Sequence, residues 1–237
     1  MSDKNKAYQE ALHFIENDSI TLDSFYEGQN KVLLKSLKNA IKNLKHELFF
    51  IHGPEGCGKS HLLTGLFNTI ENRGKMSYFM DLNIAFKLSP EVLLVNPYPI
   101  TILDNIEAIA GNPAFELNFF DLYNTWLEGN YGPLIIASQL SYDKIPFLRK
   151  DINTRLSHGL SFLMQRLNDE DCAKALELKA KKRGFTLSNK VSTYLVRHCN
   201  AYMPTLGEIL DKLDIASLQQ KRDITIPFIK EVLNIDD

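Results

Sequence analysis

Apolar and polar positions along this chain repeat with two different periods. Val32, Leu33, Leu37, Ile41 and Leu44 recur at helical spacing with lysines between them, which predicts an amphipathic helix. A short unbroken apolar run follows, Leu48-Phe49-Phe50-Ile51, which suits a strand covered on both faces. Residues 76–80, 100–103 and 134–137 are runs of the same kind. Helical patterns fill the gaps, at 61–72 (ending near Gly74) and at 114–127. Trp126 shares an apolar helical face with Phe119, Leu122 and Tyr123 and is expected to pack there. Strands alternating with helices predict an α/β domain in three layers on a parallel sheet.

After about Gln165 the pattern changes. Residues 169–183, 188–198, 205–220 and 227–233 all carry helical spacing, with no strand of comparable strength between them. Arg183-Gly184-Phe185 is a helix stop. The expected organisation is a polar arm over 1–18, an α/β domain over 19–165 and a small helical domain over 166–237.

Composition narrows the function classes. A net charge of −2 in 237 residues gives no general pull toward nucleic acid or anionic lipid. No stretch approaches the ~18 apolar residues of a membrane span, and the polar start lacks the apolar core of a signal peptide. Cys57, Cys172 and Cys199 are widely spaced, with neither metal-site nor disulfide-framework spacing, so a reducing cytoplasm is expected. Lys179, Lys181, Lys182 and Arg183 form a basic run whose default reading is a solvated helix face.

The chemistry lies between the first strand and the next helix. Gly53-Pro54-Glu55-Gly56-Cys57-Gly58-Lys59-Ser60 has the form G-x-x-x-x-G-K-[ST]. Its glycines let successive backbone N–H groups turn inward around phosphate oxygens, and Lys59 supplies a charge to the outer phosphates. Ser60 is a magnesium ligand, and the helix that opens there presents its positive dipole end. The nucleotide-binding stretch is taken as Gly53 to His61. The imidazoles of His52 and His61, without a carboxylate or cysteine at ligand spacing, are read as structural, and Cys57 as a small tolerated side chain. The run at 100–103 ends in Asp104, the Walker B position that holds magnesium through its water shell. Asn105 follows it: an amide can hold a water but cannot take its proton. Glu107 is either a substitute base or a solvated residue at a helix start.

Further motifs run along nearly the whole chain: Leu103-Asp104-Asn105-Ile106-Glu107, Phe120-Asp121-Leu122-Tyr123-Asn124, Arg155-Leu156 with Gly159, Leu176-Glu177-Leu178-Lys179-Ala180, and Ile224 to Leu233. In these the chain resembles the AAA+ ATPases of the bacterial initiator DnaA type, and more narrowly the Hda family of short DnaA homologues. The chain ends after its helical segment, so no separate DNA-binding domain is expected. The resemblance implies an AAA+ P-loop domain with a helical lid, binding ADP or ATP with Mg2+. It implies a regulator of replication initiation that works with the DNA-loaded sliding clamp (the polymerase β subunit) to stimulate ATP hydrolysis by DnaA. Contact with DNA is then indirect, through the clamp, and a homo-oligomer is left open.

The resemblance also assigns residues. Arg155 stands at the arginine-finger position, entering a neighbour's site; such a residue is worth roughly 10³ to 10⁵ in rate. On its own it is a surface arginine in reach of Asp151. Gln9-Glu10-Ala11-Leu12-His13-Phe14 is similar to the family's clamp-binding hexapeptide, with Leu12 and Phe14 filling an apolar pocket and Gln9 at its rim. Gln139 falls at sensor 1, where the family usually has an aspartate, and Pro204 falls at the sensor 2 arginine. With Asn105, these departures imply weak or absent intrinsic hydrolysis and an activator that acts in trans. The rival reading, resting on the intact P-loop and Asp104, is a self-hydrolysing helicase loader or transposition ATPase.

Overall fold

A computed structural model describes residues 20–199 and 202–235. They fall into two compact units, one of residues 20–23 with Gln29–Gln165, the other of Ser24–Gly28 with the described residues from Arg166 onward.

The first unit is built on a five-stranded parallel sheet. Its strands are β1 (Leu48–His52), β2 (Tyr78–Asp81), β3 (Thr101–Asp104), β4 (Leu134–Ser138) and β5 (Leu160–Leu163), in the spatial order β2-β3-β4-β1-β5. Helices α1 (Lys31–Asn43), α2 (Lys59–Glu71), the short α3 (Leu82–Ala85), α4 (Pro113–Glu128) and α5 (Lys150–Ser157) link them. β1, β3 and β4 are the apolar runs of the sequence. Phe49, Phe50, Ile51, Ile102, Leu103, Ile135 and Ile136 are fully buried, as central strands covered on both faces require. Leu48, Phe50, Leu103, Leu134 and Ile136 pack in one cluster with Phe115, Phe119, Leu122 and Trp126 of α4. Trp126 is buried as expected, donates its indole N–H to Gly132 O at 2.9 Å and stacks on His46 at 4.2 Å.

Two elements of this unit escape the sequence pattern. β5 is an edge strand whose Leu160 and Leu163 are 47% and 57% exposed, so it carries no buried run. α5 buries only Ile152 and Leu156. β2 also lies further along than the apolar run at 76–80, ending on Asp81.

The second unit is helical: α6 (Asp169–Lys182), α7 (Asn189–His198), α8 (Met203–Gln220) and α9 (Ile226–Leu233). Each begins where local chemistry favours it. Asn168, Ser188 and Thr225 cap α6, α7 and α9 by accepting a backbone N–H, each satisfying a donor the helix leaves orphaned. α6 has Asp169, Glu170 and Asp171 in its first turn and three lysines in its last, in keeping with the helix dipole. Leu176, Leu195, Leu206, Leu210, Leu213 and Phe228 form its own core. The basic run on α6 is not uniformly solvated. Lys179 is half-buried, and burial, then the Arg183 charge, holds its ammonium below the usual lysine value, while Arg183 pairs with Asp211.

Candidate functional site

The carboxyl ends of β1, β3 and β2 bring the site together. Directly after β1, the Gly53 N–H donates to Ser138 O at 3.2 Å, and His52 O accepts from the Met164 N–H at 2.7 Å. The chain leaving β5 therefore passes against the loop: a Cβ on Gly53 would lie 2.1 Å from Met164 O, which leaves room for glycine alone. Gly58 sits at φ 96, in the left-handed region, and turns the loop into α2. Lys59, 6% exposed, donates to Gly53 O at 2.6 Å and Pro54 O at 3.1 Å, with Cys57 Sγ at 3.6 Å. The loop thus closes around its own lysine, and Cys57 is buried as a wall of that enclosure. Burial, with the nearby Lys59 charge, keeps the His52 imidazole below its ordinary value, although Asp143 opposes the shift.

Asp104 closes the site from β3. It is 1% exposed, accepts the Ser60 hydroxyl, and takes the Asn105 N–H at 2.9 Å. Burial raises its carboxyl to about 6; the Ser60 hydrogen bond opposes this and the Asp81 charge adds to it. Asp81 ends β2 level with Asp104 and accepts the Asn105 amide at 2.9 Å. A buried carboxylate bonded to a hydroxyl and beside a buried ammonium suits a small, hard cation that keeps its other oxygen ligands from water and phosphate. Among the described residues no three His, Cys, Asp or Glu side chains gather to cage a metal by themselves. Ser60 and Asp104 are thus the pair that would hold magnesium against a nucleotide's phosphates, and that ion would neutralise phosphate charge.

Other expected residues fall elsewhere. Glu107, half-exposed in the turn after β3, has one oxygen engaged and one enclosed: its Oε1 accepts the Gln139 N–H at 3.0 Å, and its Oε2 has no protein partner. It ties the turn after β3 to the loop after β4, leaving the Gln139 side chain exposed. Pro204 lies in the first turn of α8, where a missing N–H removes no helical bond. Gln9, Leu12 and Phe14 lie outside the described residues.

Arg155, on α5, joins a second cluster. Its guanidinium donates to Asn124 and lies 3.8 Å from the Phe120 ring centroid and 5.2 Å from that of Tyr123, whose hydroxyl donates to Arg155 O at 3.4 Å. Asp151 does not pair with it. That carboxylate takes Arg149 at 3.2 Å, and Arg149 also lies over Phe120, at 4.0 Å. Beneath them the buried Glu116 accepts the N–H groups of Gly111, Leu148 and Arg149 at 2.7–2.9 Å. Asp81, Glu116 and Arg149 carry no motif. Only the level ends of β2 and β3 would have pointed to Asp81.

The parallel sheet, the phosphate loop on β1, the acidic end of β3 and a separate helical unit define an AAA+ P-loop NTPase fold with a lid. Domain III of DnaA from Thermotoga maritima superposes with a TM-score of 0.77 at 17% identity, over 92% of this chain and 97% of that one. AMPPCP-bound DnaA from Aquifex aeolicus gives 0.70 at 20% identity, over 86% of this chain and 67% of that one. The Thermotoga maritima RuvB branch-migration motor gives 0.65 at 13% identity, over 94% and 74%. Residues 169–233 match the family model of the Hda lid domain. A Haemophilus influenzae protein described only as uncharacterised is 35% identical over 232 residues, 98% of this chain and all of that one. The chain belongs to the Hda-like family of DnaA-type AAA+ proteins. Among the described residues no helix is long and apolar enough to cross a membrane.

Proposed function

We propose that this protein holds a nucleotide and, with the DNA-loaded sliding clamp, stimulates ATP hydrolysis by DnaA, so restraining replication initiation. The observation that carries this reading is the setting of Arg155. Its partners are Asn124, Phe120 and Tyr123, none of them part of the chain's own phosphate loop. An arginine bonded to a neutral amide and stacked on a ring keeps its full charge and a fixed direction. Those are the two properties a finger needs to neutralise charge on a phosphoryl group in a neighbour's site. Asn105 supports the same division of labour. It can orient a water but cannot deprotonate it, so the chain's own nucleotide, ADP or ATP, is held rather than turned over. The arm residues Gln9, Leu12 and Phe14 are the proposed clamp contact.

The test is ATP turnover by ATP-loaded DnaA with DNA-loaded clamp, comparing the protein with Arg155→Ala. Acceleration by the protein and none by the variant is expected; equal acceleration by both removes the finger from the reading. The intact Ser60–Asp104 pair favours a second reading, a self-hydrolysing loader or transposition ATPase. Steady turnover of many ATP per minute by the protein alone, without DnaA or clamp, would establish that one instead.

A further inference from the structure

α4 carries Glu116, Phe120 and Asn124 four residues apart, on one face, and two arginines are fastened to that face. Asn124 and Phe120 hold Arg155. Glu116 and Phe120 hold Arg149: the carboxylate takes its backbone N–H at 2.8 Å, and the ring lies 4.0 Å from its guanidinium carbon. Two cations are thereby fixed on a single ring despite their mutual repulsion. Between them they have one ion-pair partner among the described residues, Asp151, on Arg149.

The two arginines differ in what they offer. Arg155 is bound to a neutral amide. Arg149 is bound to a carboxylate that is 45% exposed, a pair of the kind that contributes little and exchanges readily. Only its Nη2 contacts Asp151, at 3.2 Å, while the Phe120 ring and the backbone that Glu116 fixes hold the guanidinium where another carboxylate can take that place. Leu148, the residue before it, is 60% exposed and adds apolar surface beside it. A charged residue at such an exposed rim acts on encounter and affinity more than on chemistry.

We propose that Arg149 is an affinity determinant beside Arg155: on docking it exchanges Asp151 for a carboxylate on the nucleotide-loaded AAA+ partner. This rests on the reading that Arg155 enters such a partner, DnaA. The experiment titrates the full chain and its variants into ATP-loaded DnaA with DNA-loaded clamp at two ionic strengths. Turnover is read there, and binding to nucleotide-loaded DnaA is read separately. Arg149→Ala is expected to raise the half-saturating concentration roughly three- to tenfold, leave the maximal rate unchanged and flatten the salt dependence. Arg149→Lys keeps the charge but not the fork and falls between the two. Asp151→Ala, which removes the competing carboxylate, is expected to tighten binding. The proposal is overturned if Arg149→Ala saturates like the unmodified protein, or if it loses maximal rate as Arg155→Ala does. It is overturned equally if Asp151→Ala weakens binding as much as Arg149→Ala, since the pair is then merely structural. Arg149-dependent binding without acceleration of turnover would retain this surface and reject the finger reading.

Discussion

The side-chain amide of Asn105 donates to Asp81 Oδ1 at 2.9 Å, across the level ends of two neighbouring strands. Its backbone N–H donates at the same distance to Asp104 Oδ1, with Asn105 itself in the left-handed region at φ 57. The direction of the amide follows from its partner, since an ionised carboxylate only accepts. Asn105 is therefore the donor that two adjacent carboxylates share. An aspartate there would keep the backbone donor, lose the side-chain donor and place three carboxylates at one corner of the sheet.

Asn105→Asp alone is accordingly expected to destabilise the protein by about 1–3 kcal/mol at neutral pH and not to create a working ATPase. The loss should shrink at pH 5, where protonation relieves the crowding. Asp81→Asn combined with Asn105→Asp should recover most of it. Denaturant midpoints of the three variants at both pH values check this. An Asn105→Asp protein as stable as the parent at pH 7.5 would mean that the Asp81 contact carries no weight.

Asp104 makes stability and ligand binding respond to pH in opposite directions. Its carboxyl lies near 6 in the folded chain against an ordinary 3.8, so the folded state binds the proton more tightly. Its contribution is fully present below the ordinary value and is lost as pH rises through about 6. At neutral pH the buried charge is a liability that magnesium would offset. Asp104→Asn should then raise the melting temperature of the nucleotide-free protein by roughly 2–6 °C at pH 7.5 and by about half as much at pH 5, because the unfolded carboxyl is already ionised there. In the unmodified protein, magnesium-dependent nucleotide affinity should fall as the pH drops below about 6. Melting curves and nucleotide titrations at the two pH values measure both effects. A gain of equal size at pH 5 and 7.5 would argue against titration of this group.

What could be read in the sequence was local or fully buried. The G-x-x-x-x-G-K-[ST] loop after β1 is a run of consecutive residues, so spacing alone marks it. β1, β3 and β4 are buried on both faces and therefore spell unbroken apolar runs. β5 has no such signature because an edge strand half-exposes its side chains. What marks it is Gly159, where a Cβ would meet Leu48 Cγ at 2.6 Å, a constraint set by residues more than a hundred positions away. Asp81, Glu116 and Arg149 were illegible for the same reason. Each acts through a partner 24 or more residues distant, and no short pattern records such pairs.

Glu116 shows how much rests on one such residue. It is fully buried, and its two oxygens accept three backbone N–H groups from two loops. Glu116→Ala leaves those donors unpaired and opens a cavity, which should destabilise by about 3 kcal/mol or more. Glu116→Gln keeps an acceptor oxygen, turns the other end into a donor facing an N–H, and should lose less. Equilibrium unfolding gives both numbers. A change under about 1 kcal/mol for Glu116→Ala would show that water replaces the carboxylate easily.

Asn124 tests whether Arg155 needs to be held. Its side-chain oxygen is the acceptor for the guanidinium, from a position on α4. An arginine freed from that bond still has the Phe120 ring at 3.8 Å, so it stays in place part of the time rather than leaving. Asn124→Ala should therefore lower the maximal acceleration of DnaA turnover roughly tenfold, short of the full loss from Arg155→Ala, with little change in melting temperature. Because Asn124 acts through Arg155, the double variant should be no worse than Arg155→Ala alone. If the two losses multiply instead, Asn124 contributes by a route of its own, and the bond between them is not what sets the arginine.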